Sequence, residues 1–480
     1  MREGVCGLTY TGAMSNEAPA APEAAGIQSA RLSAGTIARY ATGSLGTGGF
    51  ATLPGLVLTY YLTDSLGVAA LAAGAVIAIA KVWDVIIDPV IGALTDRDLE
   101  RNGSRRRLML IGACALPVLF ALTFAVPPAL GPVAAGIWVL LAFTLTATAF
   151  SLFQVPYIAL PAELTPRYDE RTRLLTWRVV VLTLAILLFG AGGPALRRVS
   201  EDPVVGYLVM GIVCGVVIGL GMLVSTTVAR RTVPAAGVAP VGEKTGIREH
   251  YAAGIRALRR SRPFRMLLAT FVLQALATGL MLAGAQYVAT WVLHSEAAVE
   301  LLFIALIAPA LLAAPGWGAV ARRIGKERTF AIASVVFGVA ALTILGVLWV
   351  PGEWIYVPVG VAGIAYAGMQ SLPMAMLPDV ISHDERTAPD AAGGAGRAGA
   401  FSGIWTAGET VGFALGATTL SLILAMTGYV SRAAGEVVQQ PDAAVTGIVV
   451  SFSLVPAALI AVSLVTLARY PLRRADIDLG

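Results

Sequence analysis

Long apolar segments alternate with short polar stretches over most of the chain. Most of the segments span about 20 to 30 residues, which is enough for an α-helix rising 1.5 Å per residue to cross a bilayer. Several contain glycine and proline, which membrane helices tolerate better than soluble helices do. The pattern predicts an all-α membrane protein with twelve transmembrane helices. The predicted segments are 36–62, 67–93, 108–128, 132–158, 173–196, 204–229, 264–293, 297–320, 329–350, 354–378, 399–427 and 444–468.

The second half of the chain repeats motifs of the first half. The spacing Pro-x-x-Gly-Ala-x-x-x-Arg ends both the second segment, at 89–97, and the eighth, at 315–323. Matching repeats six segments apart are typical of two parallel six-helix bundles. The sequence thus predicts two pseudo-symmetric six-helix bundles. The predicted divisions are a disordered tail at 1–35, a bundle at 36–229, a basic linker at 230–263, a bundle at 264–468 and a tail at 469–480.

Composition agrees with a membrane location. Of the 480 residues, 57% are hydrophobic and 13% are charged, whereas a soluble domain averages about 25% charged residues. The net charge of +5 does not indicate nucleic-acid binding, because the basic residues cluster at segment ends. We expect a lipid bilayer and no nucleic acid among the partners, and a monomeric chain.

The lysines and arginines predict the orientation. With the N-terminus inside, all but six of the 34 lie in cytoplasmic connections or tails, and such an excess is typical of cytoplasmic loops. We predict a multi-pass plasma (inner) membrane protein with both termini cytoplasmic. The six exceptions are Arg197, Arg198 and Arg432 on the opposite side, and Arg39, Lys81 and Arg178 within segments.

The second segment carries ionisable residues at a depth where the bilayer core is expected. Lys81, Asp84 and Asp88 are spaced i, i+3 and i+7, so they share one helix face. Each charge at this depth costs roughly 2.5–3.5 kcal/mol, so such groups usually face a cavity that serves transport. Two carboxylates four residues apart repel each other unless a cation lies between them or one is protonated. The stretch predicts a site for sodium or a proton.

Pro89 strengthens this interpretation. It lacks an N–H and so leaves the Val85 carbonyl without its usual helical partner. That oxygen, the two carboxylates and a hydroxyl such as that of Ser151 suit a hard cation. The alternative is that the aspartates only pair with Lys81 and Arg178 and so hold helices together.

Five further polar residues within segments are candidates for the cavity. Arg178 pairs with an aspartate, holds an anionic group of a solute, or extends to the membrane surface. Lys81 either lines the cavity or neutralises Asp84. Glu409 contacts solute, carries a proton, or pairs with a basic residue across the bundle. Gln154 and Gln370 line the cavity or satisfy a neighbouring helix backbone.

Charged residues also flank the cytoplasmic ends of the segments. We expect them to form ion pairs between the two bundles that close an inner gate when the site faces outward; ordinary loop charges that fix topology are the alternative. Surface ion pairs contribute only about 0–1 kcal/mol each, so a network is needed. The predicted gate residues are Asp96, Arg97, Glu163, Arg171, Asp379 and Arg386.

No catalytic motif accompanies these residues. The cysteines at 6, 114 and 214 show no pairing pattern, and we find no Gly-rich phosphate loop, nucleophile elbow or paired histidines. We expect a protein that is not an enzyme, with no cofactor and no metal beyond the coupling ion. A membrane-embedded transferase is the remote alternative.

Three stretches together resemble a known family, the glycoside–pentoside–hexuronide:cation symporters, which form the melibiose-permease-like branch of the major facilitator superfamily. The first is Asp-x-x-x-Asp-Pro-x-x-Gly-x-x-x-Asp-Arg at 84–97. The second runs from Pro156 through Thr165 to Arg178, and the third from Met376 to Thr406. The resemblance implies alternating-access symport of sodium, lithium or protons with a solute, often a sugar.

The chain departs from the sugar carriers of this family at several positions. Gly46–Gly49 stands where they have an aspartate in the first helix, and Gln154 stands where melibiose permease has another. Ile158 replaces a tryptophan that stacks on sugar, and Glu409 lies near the place of a lysine. The expected function is therefore cation-coupled symport of a small solute, sugar-like by family. The alternative solute is a lysolipid, an organic anion or an amino-acid-like molecule.

Overall fold

The computed structural model describes residues 31–165, 167–229, 255–256, 258–387 and 394–472. These ranges are all-α apart from one isolated bridge between Leu66 and Ala433. Residues 1–30, 473–480 and most of the predicted linker lie outside the described residues. The helices are α1 (Ala34–Ala41), α2 (Ser44–Asp64), α3 (Ala70–Asn102), α4 (Arg106–Phe124), α5 (Pro132–Leu164), α6 (Tyr168–Arg197), α7 (Pro203–Thr226), α8 (Arg262–Tyr287), α9 (Ala298–Ile324), α10 (Lys326–Ile344), α11 (Tyr356–Thr387), α12 (Gly394–Met426), α13 (Asp442–Phe452) and α14 (Leu454–Ala468).

Eleven helical spans in the described part are long and apolar enough to cross a membrane, and they match the second to twelfth predicted segments. The last span joins α13 and α14. The first predicted segment contains α2, which has 21 residues and is buried almost throughout. Its glycines, threonines and tyrosines make it more polar than the others. The structure is consistent with twelve crossings.

Several helices continue beyond their predicted ends. Helix α3 runs to Asn102, whereas hydropathy placed its end at residue 93. Hydropathy detects only the apolar part of the helix, and the last turns of α3 are mostly polar. Gly103 stops it in a left-handed conformation, with φ +64°, and donates its N–H to the Leu99 carbonyl at 2.8 Å. This is a common helix C-terminus, since glycine adopts positive φ without steric cost.

The helices form two bundles, as the repeats predict. Helices α2 to α7 pack on one another, mainly α4 on α5 and α7, and α2 on α6. Helices α8 to α14 form the second group, in which α8 packs on α12 and α14, and α11 on α9 and α10. The predicted boundaries of the tails and the linker stay predictions.

In the described residues, close approaches between the bundles lie toward one end of the helices. We call the end where α7 stops and α8 begins the linker end, and the opposite end the far end. The contacts between bundles are α3 with α12, α6 with α9, and α2 with α8. Glycines allow the close approach: a Cβ on Gly74 would lie 2.6 Å from Ser421, and one on Gly190 would lie 2.1 Å from Phe303. All four residues lie in the far-end halves of their helices.

A buried ion pair joins the two bundles at the far end. The Asp64 carboxyl, fully buried at the end of α2, accepts a hydrogen bond from Arg432 Nε at 3.2 Å. Tyr429 donates to the same carboxyl at 2.6 Å, and Thr63 donates to it at 2.7 Å. The Arg432 N–H also donates to the Thr63 carbonyl at 2.8 Å. The loop after α12 is thus fixed to the opposite bundle by charge and backbone together.

A second ion pair joins the bundles beside the first. Arg197 is 5% exposed and lies over the rings of Tyr60 and Tyr207, 5.5 Å from each centroid. It donates to the Tyr207 hydroxyl at 2.8 Å and to Glu296 of the other bundle at 3.1 Å. Arg198 pairs with Glu300 alongside. All three ion pairs that join the bundles in the described part lie at this end.

Replacing Asp64 should weaken the contact between the two bundles at the far end. Asp64→Ala leaves the Arg432 guanidinium without its buried partner, and breaking a buried pair in this way costs about 3–5 kcal/mol. We expect the far-end contacts to open more often. A cysteine placed at Ser421, which is fully buried between α12 and α3, should then react with a hydrophilic maleimide at least about tenfold faster.

The matched control is Asp442→Asn, because Asp442 is an exposed aspartate at the start of α13 on the same end. Its labelling rate should equal that of the parent. Equal rates for the Asp64 and Asp442 variants would show that the ion pair does not hold the far end closed.

Candidate cation site

Helix α3 presents Asp84 and Asp88 on one face, as their spacing predicts. Both are partly buried. The Asp88 carboxyl is hydrogen-bonded to the Ser151 hydroxyl of α5. It also lies close enough to Asp84 for the two negative charges to repel each other. One carboxylate oxygen of each aspartate, Oδ1, is buried and has no hydrogen-bond partner. Two unpartnered anionic oxygens and a hydroxyl are therefore held together by two helices.

Lys81 lies beside this pair. Its Nζ is 3.0 Å from Asp84 Oδ2, one helical turn away, and 5.9 Å from the centroid of the Phe50 ring. The lysine side chain is 27% exposed and that of Asp84 is 13% exposed. Lys81 therefore neutralises part of the acidic pair, as one of the sequence alternatives held. Val85 takes part in another interaction in this structure, so its carbonyl is not counted as a free ligand.

Arg178 does not pair with the aspartates. Its guanidinium lies 5.4 Å from the centroid of the Tyr157 ring and interacts with the Tyr157 hydroxyl. Tyr157 stacks on Tyr40 at 4.7 Å and donates to the Tyr40 carbonyl at 3.0 Å. The Arg178 Nε atom is buried without a partner. The predicted ion pair with Asp84 or Asp88 is thus not formed here, and the arginine is left facing tyrosines.

Two departures from the sugar carriers lie side by side. Gln154 accepts a hydrogen bond from the Thr47 hydroxyl at 2.8 Å. Thr47 belongs to the Gly46–Gly49 stretch, which with Gln154 is where the resemblance led us to expect carboxylates in sugar carriers. In this chain a neutral hydrogen-bonded pair lies at these two positions, and Asp84 and Asp88 are the acidic pair of the candidate site.

The second bundle holds a smaller polar cluster. Gln370 donates to the Tyr366 hydroxyl at 2.7 Å, and both residues belong to α11. Glu409 on α12 is partly buried and lies close enough to Tyr366 to interact with it electrostatically. Tyr366, Gln370 and Gln274 line a cavity of about 10 Å³, which is room for about one water molecule. No ion pair involves Glu409 in the described part of the chain, so the predicted basic partner is not seen.

Three of the six predicted gate residues, Asp96, Glu163 and Asp379, form ion pairs in the described part of the chain, and each of these pairs lies within one bundle. Arg105 bridges Asp96, at 2.8 Å, and Glu163, at 2.5 Å, inside the first bundle. Lys326 pairs with Asp379 at 2.6 Å inside the second. The remaining contacts are Arg171 to the Thr165 carbonyl, Arg386 to the Ser382 carbonyl, and an exposed Arg97.

The residues that do join the bundles were missed in the sequence. Asp64 and Arg432 are 368 positions apart, and no local spacing connects them. The usable indication was the distribution of basic residues: Arg197, Arg198 and Arg432 are the three basic residues that the predicted topology places on the non-cytoplasmic side, and all three form far-end ion pairs.

Comparison with known proteins agrees with this architecture. Residues 39–474 match the model of a family described as MFS/sugar transport protein. An uncharacterized symporter from Synechocystis sp. is 25% identical over 518 residues, covering 91% of this chain and 94% of the relative. A crystal structure of a D-xylose–proton symporter superposes with a TM-score of 0.65 at 12% identity, covering 91% of this chain and 98% of that one. The latter likeness concerns the fold alone.

Two further relatives carry named solutes. A glucuronide carrier protein homolog from Escherichia coli is 24% identical over 453 residues, covering 92% of this chain and 93% of the relative. A sodium-dependent lysophosphatidylcholine symporter from Xenopus tropicalis is 24% identical over 451 residues, covering 87% and 83%. The two names refer to different classes of solute.

Proposed function

We propose how this chain, which belongs to the MFS/sugar transport protein family, carries out cation-coupled symport of a solute. The match covers nearly the whole chain, from residue 39 to 474. Its relatives are symporters, so the transferase alternative has no support. The proposal concerns which residues hold the cation, which hold the solute, and which state this structure represents.

The cation binds between Asp84 and Asp88. The observation that carries this assignment is that each aspartate keeps one buried oxygen without a partner, on the same face of α3. An unsatisfied buried acceptor is costly, and an unsatisfied charged one more so. A cation removes both the desolvation cost and the mutual repulsion. Ser151 supplies a third oxygen from α5, so the ion draws two helices of the first bundle together.

Sodium is the coupling ion that we propose. Carboxylate and hydroxyl oxygens suit a hard cation, and one relative is named as sodium-dependent. A proton is the second candidate, since protonation of one carboxyl would also relieve the repulsion. The two candidates differ in whether uptake follows a sodium gradient or a pH gradient.

The solute carries an anionic group that binds Arg178. The guanidinium has a buried Nε without a partner and pairs with no carboxylate in the described part of the chain. Guanidinium groups hold carboxylates and phosphates in bidentate geometry. Gln154 lies near in sequence to Tyr157 and offers further polar contacts, and Glu409, Tyr366 and Gln370 offer them from the second bundle. A uronic-acid glycoside is the first candidate solute and a lysophospholipid the second.

This structure corresponds to the inward-facing state under the predicted orientation, in which the linker end is cytoplasmic. Ion pairs close the far end, and the linker-end charges pair within their own bundles. In the outward-facing state, the six predicted gate residues would instead form ion pairs between the two bundles. These residues are Asp96, Arg97, Glu163, Arg171, Asp379 and Arg386. A plasma-membrane location, cytoplasmic termini and a monomeric state accompany this proposal.

Asp88→Asn should abolish cation-dependent uptake. We expect uptake of radiolabelled methyl β-D-glucuronide or lysophosphatidylcholine into proteoliposomes to respond to an inward sodium gradient. The variant should lose this stimulation by about tenfold or more, because a hydrogen-bonding or ion contact to a charged group contributes roughly 1.5–3 kcal/mol. Glu100→Gln, an exposed carboxylate on the same helix, is the control and should behave as the parent. Undiminished sodium stimulation in Asp88→Asn would reject the assignment.

Glu409→Gln should change how the solute binds. The substitution keeps the size of the side chain and removes the charge next to Tyr366, so the concentration of solute that gives half-maximal uptake should change by about threefold or more. The same uptake assay measures this at several pH values. Glu201→Gln, an exposed far-end carboxylate, serves as the comparison. A variant that matches the parent in both half-saturation and pH response would reduce Glu409 to a packing role.

A further inference from the structure

Lys81 occupies the position where a second positive charge would compete with the coupling ion. Its ammonium lies 3.0 Å from Asp84 Oδ2, while Asp84 Oδ1 and Asp88 Oδ1 are left unpartnered. The positive charge of Lys81 also stabilises the ionised carboxyl of Asp88. It is therefore the cationic side chain next to both proposed ligands, and it belongs to the same helix.

We propose that Lys81 is a tethered competitor of the coupling cation: its ammonium neutralises Asp84 in the empty carrier and is displaced when the ion binds. This inference rests on the proposed cation site at Asp84 and Asp88. It assigns to Lys81 a role in setting cation affinity, distinct from the roles of solute contact and helix packing.

The charge and reach of the side chain fit this role. A lysine ammonium is a compact unit charge on a flexible four-carbon stem, so it can leave Asp84 without any movement of the backbone. Its side chain is 27% exposed, which leaves room for that movement. The Phe50 ring, 5.9 Å from Nζ, lies within the range in which an aromatic face attracts a cation. Lys81 makes this ring contact together with the ion pair, so the ring can continue to attract the ammonium when it leaves Asp84.

Competition of this kind lowers the apparent affinity for the ion. The ion binds only the fraction of molecules in which Lys81 has left Asp84, so the apparent dissociation constant rises by the reciprocal of that fraction. The empty carrier benefits in turn, because it does not have to rearrange with two unneutralised carboxylates. Removing the ammonium should raise the affinity for sodium and leave the empty state with a bare acidic pair.

The test is a sodium titration of the purified protein, which requires no knowledge of the solute. A bound ligand raises thermal stability by an amount that depends on its concentration relative to its dissociation constant. The midpoint of unfolding is recorded in sodium chloride, with choline chloride keeping the ionic strength constant, and then with lithium chloride. Lys81→Met should reach half of its sodium effect at about a tenfold lower concentration than the parent protein.

Two further variants separate competition from other effects. Lys81→Arg keeps the charge and should stay within about twofold of the parent. In an Asp84→Asn background, where the lysine has no carboxylate to occupy at that position, Lys81→Met should no longer increase the affinity; this double-mutant comparison isolates the interaction of the two side chains. Size-exclusion chromatography identifies any variant that fails to fold, and Lys81→Gln then replaces the methionine variant.

The outcomes distinguish this inference from the function on which it rests. Equal half-saturating concentrations for Lys81→Met and the parent, or a weaker response in Lys81→Met, would overturn the competition while leaving the cation site intact. A sodium response that is also unchanged in Asp88→Asn would instead overturn the site itself.

Discussion

The structure depends on one electrostatic constraint, the presence of two carboxylates on one face of α3 within the membrane. Asp84 and Asp88 cannot both stay charged there without positive charge nearby, because burial and mutual repulsion act in the same direction. Lys81 supplies one charge, 3.0 Å from Asp84. Each aspartate also keeps one buried oxygen without a hydrogen-bond partner, and we propose that the coupling ion binds these two oxygens. A site that is completed only by a mobile ion is what a coupled carrier requires.

The opposite situation holds for the buried carboxyl at the far end, where several donors bind one aspartate. Asp64 is completely buried, and Arg432, Tyr429 and Thr63 all donate to its carboxyl. Satisfied networks of this kind favour one arrangement of the parts that they connect. The contrast between the partnered Asp64 carboxyl and the unpartnered oxygens of Asp84 and Asp88 gives the bundles a reason to occupy discrete states. Ion binding at the centre can then shift the equilibrium between these states away from the one that the far-end network favours.

The sequence predicted the parts of this molecule that depend on local spacing. Hydropathy located the membrane helices, and the i, i+4 spacing placed Asp84 and Asp88 on one face of α3. It failed where distant residues decide the outcome. The sequence left open whether Arg178 pairs with an aspartate, and in the structure its guanidinium lies over the ring of Tyr157, which stacks on Tyr40. The Asp64–Arg432 pair joins positions 368 residues apart, which no helical period connects. The C-terminal end of α3 was also predicted too early. Hydropathy detects the membrane-spanning part of the helix, whereas Gly103 determines where the helix stops.

The most direct test of the central claim is equilibrium binding of radioactive sodium to the purified protein, compared with a variant that carries both Asp84→Asn and Asp88→Asn. The account predicts one saturable sodium ion per chain in the parent protein and none in the double variant. Equal saturable binding by the two proteins would place the ion elsewhere and contradict the account.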